Sequence, residues 1–418
     1  MATNSSLPFM LSSLKYRNFR LYFGGQCISI IGTWMQQIAM GWLAYRLTGS
    51  VLILATVTFM SQIPMLFLTP FMSVFTDRVN RHTLLIFTQT CSMAQALTMG
   101  ILVLTDTAAV WNILLLSLFI GIINALDMPT RQAFYTGLVP KENLSNAIAL
   151  NSSVINGGRL IGPALGGVLI HWVGEGMCFL LNGASYIAVI AALLMMKLSD
   201  IHYEPAKGSI VRDIREGFDY MKQDVPVRTL IAMMAAVSFF GVPFNTFLPA
   251  YVNQTLGGDS EMLGTLLSCI GIGAFAASVY LASRKRVLGL EKIVMYAAAC
   301  FGVTLLLIAF CDEYAMAAFL CIPIGTSTIL SVASNNTLLQ ILTPENVRGR
   351  VMGYLVMAFA GMPPLGSLLF GYLEKWIGLT GMLALMGGCC IVSAFLFALY
   401  LPTFYRSYPL FYKKTAGE

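Results

Sequence analysis

Charged residues are sparse and clumped along this chain, and between them run long uncharged stretches at 21–45, 47–76, 83–105, 107–126, 176–196, 229–258, 262–283, 293–311, 314–344, 351–373 and 376–405. Each can cross about 30 Å of hydrocarbon as a helix. A twelfth stretch, Asn143 to Val173, is interrupted only by Arg159 and His171. None alternates polar with apolar positions, and all are about twice as long as a tilted strand needs, which sets a membrane barrel aside. The backbone must then close its hydrogen bonds within helices. The pattern predicts an all-α membrane protein with twelve transmembrane helices.

Composition agrees. With 57% hydrophobic and 11% charged residues, the chain is too apolar to hide its surface in one water-soluble core. Charge then fixes orientation. If both termini are cytoplasmic, the inner segments hold 22 of the 25 Lys and Arg residues, while only Arg46 and Lys375 lie outside and Arg159 lies within a span. This imbalance is the positive-inside signal of a multi-pass protein of the cell inner membrane. The net charge of +6 therefore reports topology and no nucleic-acid partner. The first apolar run is too long for a signal-peptide core and no Ala-x-Ala site follows, so it is expected to stay attached. The nine cysteines fall almost wholly inside apolar runs and are expected to be free, small core residues.

The longest polar connection, Ser199 to Val227, divides the chain near its middle. The expected organisation is a six-helix bundle over 1–198, a cytoplasmic linker over 199–227 and a second six-helix bundle over 228–418. Within the linker, Ile210, Ile214, Phe218 and Met221 recur at helical spacing and predict an amphipathic helix on the inner membrane surface. At an offset of 203, Glu142-Asn143 falls on Glu345-Asn346 and Gly158 on Gly361, a weak internal echo of a duplicated six-helix unit. In such duplications the substrate site forms between the repeats near the bilayer midplane.

Three segments carry candidate chemistry. The segment "GGRLIGPALGG", Gly157 to Gly167, lies inside a span, with no strand before it and no Lys-Ser/Thr after it, so it is no phosphate loop. Gly158, Gly162 and Gly166 recur every four residues, giving one flat face for close helix packing, and Pro163 can bend the helix. Between spans two and three, "SVFTDRVNRH" places Asp77, Arg78 and Arg81 at a tight inner turn, where they either cap and pair locally or form a gate. In the fourth span, Asp127 and Arg131 stand four apart, either as a surface ion pair or as a partly buried proton-coupling site. Arg159, whose charge is costly to bury, either binds carbonyls opened by Pro163 or faces a cavity and attracts an anionic or catechol-bearing substrate. The polar side chains of the first span, Gln26, Gln36 and Gln37 with Trp34 among them, are candidates to line the same cavity. A second glycine run, "GIGAFA" from Gly271, starts mid-span and reads as packing.

These segments resemble the major facilitator superfamily. Asp77, Arg78 and Arg81 match its loop motif G-x-x-x-D-R-x-G-R-[RK], while Ser73, Asn80 and His82 depart from it. Gly158, Gly162, Pro163, Gly166 and Gly167 match every fixed position of G-x-x-x-G-P-x-x-G-G, the fifth-helix pattern of exporters and antiporters. The likeness extends over nearly the whole chain to the branch containing enterobactin-type siderophore exporters and related drug-efflux proteins. It implies secondary-active, proton-coupled export of small organic molecules by alternating access. The partners expected are a small-molecule substrate, protons and membrane lipid, with the chain a monomer and no cofactor, metal or catalytic residue. No His/Asp/Glu cluster has metal spacing, which disfavours an enzyme. A lysophospholipid-moving transporter of the same fold, or a membrane-embedded enzyme, are the alternatives.

Overall fold

The computed structural model describes residues 9–76, 79–197, 210–284 and 287–407. Thirteen α-helices follow one another: α1 Arg17–Thr48, α2 Val51–Thr76, α3 Arg81–Leu104, α4 Val110–Thr136, α5 Leu144–Leu194, α6 Ile210–Gln223, α7 Val225–Phe240, α8 Phe244–Gln254, α9 Ser260–Ser283, α10 Leu290–Ala309, α11 Tyr314–Leu342, α12 Glu345–Val356 and α13 Met362–Ser407. A five-residue π-helical turn, Met357–Gly361, joins α12 to α13. No strand occurs among the described residues.

Nine stretches among the described residues are long and apolar enough to cross a membrane. The fold is nonetheless twelve-span, for two physical reasons. Helix α1 is long enough, at 32 residues, but its glutamines dilute its apolar character. The 51-residue α5 and 46-residue α13 each contain one glycine in the left-handed region, Gly174 at φ 80° and Gly378 at φ 69°, and each is two spans. Only glycine adopts such a φ cheaply, so one residue serves as the whole connection.

The chain reverses at Gly174, as its contacts with α1 demonstrate. Before the glycine, Gly158 meets Ile30, Gly162 meets Trp34 and Gly166 meets Met35, so the two segments ascend together. After it, Gly32 meets Asn182 while Gly25 meets Val189 and Ala192, so the second segment descends. At the bottom of that descent Asn18 Nδ2 donates to the Lys197 carbonyl at 2.8 Å.

Contacts divide the chain into two compact units, Met1–Leu47 with Ile63–Lys207, and Thr48–Gln62 with Gly208–Glu418. In the first, an aromatic core of Phe19, Tyr22, Phe134 and Tyr135 packs with Leu85, Val189 and Leu193. In the second, Val227, Leu230 and Met234 of α7 pack with Val294 of α10, Leu338 of α11 and Phe404 of α13. There α9 and α11 cross at a mutual glycine contact. A Cβ on Gly273 would meet the Ile322 carbonyl, and one on Gly325 the Ile270 carbonyl. All nine cysteines are free.

The linker helix expected from Ile210, Ile214, Phe218 and Met221 is α6, and it is docked on protein. Gly217 approaches the Arg350 side chain of α12, Glu216 pairs with Arg350 at 2.5 Å, and Phe218 lies against Tyr354 with ring centroids 6.4 Å apart.

Candidate transport site

The polar groups of the first unit form two layers joined by α1 and α3. In the lower layer, Asp127 of α4 is 4% exposed, which removes the surface-pair reading of Asp127 and Arg131. Its Oδ1 accepts hydrogen bonds from Thr88 Oγ1 at 2.7 Å and Gln89 Nε2 at 2.8 Å, both on α3. Its Oδ2 accepts from Arg131 Nε at 2.8 Å and from Nη2 of the same guanidinium. Arg131 also donates through Nη1 to Gln26 Oε1 of α1 at 2.5 Å. The i, i+4 spacing puts acid and base on one helical face, and two neutral donors complete the carboxylate's shell. Taking such a pair out of water is costly, and removing one partner leaves an uncompensated buried charge. Beneath this layer, Thr76 and Thr130 hydroxyls meet at 3.0 Å.

The upper layer carries no charge. Gln36 Nε2 donates to Gln95 Oε1 at 2.9 Å, and Asn182 Nδ2 donates to Gln36 Oε1 at 2.6 Å, tying α1, α3 and the descending half of α5 together. At the end of α1 nearest Gly174, Arg46 Nε pairs with Glu175 at 2.7 Å.

Placed against the sequence expectations, Gln26 and Gln36 are buried in these layers, Gln37 is exposed, and Trp34 lies along the glycine face of α5. That face is built as its spacing predicts. Ideal Cβ atoms on Gly158, Gly162 and Gly166 would all meet α1, whereas Gly157, a quarter-turn away, has nothing within 4 Å. Pro163 and Gly167 are buried on the same helix. The backbone of Arg159 lies on α5, but its side chain falls outside the described part of the structure, as do Asp77 and Arg78 altogether. Arg81 of the loop motif reaches the Ala133 carbonyl with Nη1 at 3.4 Å. Two of the three departures from that motif, Asn80 and His82, have structural reasons, while the side chain of Ser73 falls outside the described part of the structure. Asn80 caps α3, its side chain accepting from His82 N at 3.0 Å and Thr83 N at 3.2 Å. His82 Nε2 bonds the Leu193 carbonyl at 2.8 Å and its ring stacks on Phe134.

Thr88, Gln89, Gln95 and Asn182 were not singled out by sequence. For the three on α3 the signal was present in "TQTCSMAQ", five hydroxyl or amide side chains in an otherwise apolar span, and it is the same signal that marks the first span.

The model of the transmembrane secretion effector family matches residues 9–406. The chain belongs to this family. It is 27% identical to the staphyloferrin A transporter of Staphylococcus aureus, over 90% of this chain and 95% of that one. It is 24% identical to the PmrA homologue of Lactococcus lactis subsp. lactis, a multi-drug resistance efflux pump, over 69% and 72% of the two chains. Among solved structures, a bacterial homologue of the human lysosomal transporter Spinster superposes with a TM-score of 0.68 at 13% identity, covering 98% of this chain and 99% of that one. This secretion effector is thus a multi-pass membrane transporter with the major facilitator fold, from the branch that also holds drug-efflux pumps.

Proposed function

We propose that the protein exports small organic molecules, siderophore-like or drug-like, in exchange for protons. The observation that carries this reading is Asp127, a carboxylate buried between membrane helices and ligated by Thr88, Gln89 and Arg131. A buried acid in a span, held by hydrogen bonds from a neighbouring helix, is suited to couple proton binding to a helix rearrangement. The glycine face of α5, in the pattern that resembles exporters, and relatives that include a staphyloferrin A transporter and a multi-drug efflux pump support export. On this reading residues 1–198 and 228–418 act as two bundles about the 199–227 linker and alternate access to a central cavity. Asp77, Arg78 and Arg81 gate the cytoplasmic side of the inner membrane, and the chain works as a monomer. The test is uptake into inside-out vesicles of a catecholate and of a cationic dye, with and without an imposed pH gradient. Uptake of either that vanishes when the gradient is collapsed supports the reading; uptake indifferent to it overturns proton exchange.

Orientation has its own measurement. Single cysteines placed at Asp106, Gly258 or Asp312 should react in whole cells with an impermeant thiol reagent. All three residues stand in connections outside the helices. Protection of all three overturns cytoplasmic termini.

Arg159 provides the substrate test. By helical rise it stands roughly 22 Å along α5 from Leu144, past the midplane if that end is cytoplasmic. With an anionic substrate, Arg159→Gln should lower its export about tenfold and leave cationic dyes moving, while Arg159→Lys keeps part of the activity. Equal loss for all substrates assigns the residue to the shape of α5 instead.

A further inference from the structure

The second unit has a feature on its surface that transport does not use. Between α10 and α11 lies an open groove of about 530 Å³, lined by Tyr280 of α9, Tyr296 and Cys300 of α10, and Phe319 and Pro323 of α11. Beside it, the glycine crossing of Gly273 and Gly325 draws α11 against α9. Pro323, on the groove wall, further interrupts the hydrogen-bond ladder of α11. The polar group nearest the crossing is already satisfied, since Thr326 Oγ1 donates to the Gly273 and Ile322 carbonyls at 3.1 and 3.0 Å. The groove therefore offers apolar atoms. Its rings stand open, with Tyr296 63% and Phe319 66% exposed.

Both helices that flank the mouth repeat one arrangement. On α9 a tyrosine, Tyr280, is followed one turn later by Arg284. On α10 a lysine, Lys292, precedes Tyr296 by one turn, so both tyrosines of the groove have a base one turn away, at the Ser283 and Leu290 helix ends. Arg284 is held in place, donating through Nη1 to the Tyr280 hydroxyl at 3.2 Å and through Nη2 to the Leu288 carbonyl. Lys292 is exposed. Glu291, next to Lys292, is 2% exposed and accepts from the Tyr405 hydroxyl of α13 at 3.1 Å, so its carboxyl group is turned into the bundle. Cys300 stands ten residues, about 15 Å, along α10 from Leu290, so the groove runs from the end that carries these bases to about the middle of α10.

An apolar channel at acyl-chain depth with two cations at its mouth matches one chemistry. We propose that the α10–α11 groove binds an anionic phospholipid, one acyl chain against Tyr296, Cys300 and Phe319 and the headgroup phosphate between Arg284 and Lys292. It rests on the proposed orientation only for the leaflet, the cytoplasmic one, that supplies the lipid. The site is separate from the first-unit layers and selects by headgroup charge, so it distinguishes a bound lipid from the annulus that coats any apolar surface.

The test is native mass spectrometry of the purified full chain, titrated with phosphatidylglycerol and phosphatidylcholine of identical acyl chains. The wild type should retain a first phosphatidylglycerol about tenfold more strongly than phosphatidylcholine. Arg284→Gln should bring that ratio to within twofold while lipid is still retained, and Cys300→Trp, which puts an indole into the groove, should reduce retention of both lipids. Lys292→Gln, at an exposed position, gives the same headgroup reading should Arg284→Gln not fold. A ratio unchanged by either base substitution, retention unchanged by Cys300→Trp, or the mass of a second chain in place of lipid overturns the site. Transport without a pH requirement would remove the proton-exchange reading and leave these outcomes untouched.

Discussion

Asp127→Asn will abolish the response of transport to a pH gradient, with export falling at least tenfold, and will destabilise the protein by about 3–5 kcal/mol. The amide keeps the shape and can still accept from Thr88 or Gln89, but it leaves the half-buried Arg131 guanidinium without its counter-charge. Stability and coupling are separable by a second change. Asp127→Asn combined with Arg131→Gln removes both charges, so thermal unfolding in detergent should recover most of the loss, since a neutral pair carries no buried charge to desolvate. The pH response should stay absent in the double variant, because neither remaining side chain exchanges a proton. A single Asp127→Asn variant that exports with the wild-type dependence on the gradient eliminates Asp127 as the proton carrier, whatever its stability.

Gly162→Val comes next in expected size. A Cβ at Gly162 would meet the Trp34 Cβ, which is anchored to the α1 backbone and cannot swing aside, so α1 and the ascending half of α5 must separate. Overpacking of this kind costs about 1–3 kcal/mol. The loss of export should be larger than that figure implies, at least tenfold, because moving α1 off α5 also draws Gln26 and Gln36 away from Arg131 and Gln95. Gly157→Ala is the matched control. Nothing lies within 4 Å of that position, and alanine there should raise helix stability by up to about 1 kcal/mol. Export that tracks expression equally in both variants would assign the glycine face to folding alone.

The sequence made some of this legible because some of the physics is local. Span count and helical class follow from run length, and the glycine face follows from a four-residue period that only helix geometry converts into one surface. The turns at Gly174 and Gly378 were readable only as gaps between charges at Glu175 and Lys375, since a positive φ leaves no pattern in neighbouring residues. Partner choice was not local at all. Nothing in the order of residues says that Asp127 meets Thr88 and Gln89 while Gln36 meets Gln95 and Asn182, because a slip of about two helical turns in α3 would exchange those partners. The same limit explains why polar residues of the first span, expected to line a cavity, include Gln26 and Gln36 inside hydrogen-bonded layers. It also explains α6, whose apolar spacing was visible but whose seat on Arg350 and Tyr354 depended on a helix more than a hundred residues further on.

The one-residue turn at Gly174 has a consequence for biogenesis. With a single glycine between an ascending and a descending span, there is no loop to emerge across the membrane before the second helix leaves the ribosome. The two must enter the bilayer together as a hairpin, and the ascending strand of that hairpin carries Arg159, a residue that disfavours insertion by itself. Chains truncated just after Val173 should therefore leave the segment from Leu144 to Val173 open to protease from the cytoplasmic side, and chains truncated after Leu194 should protect it.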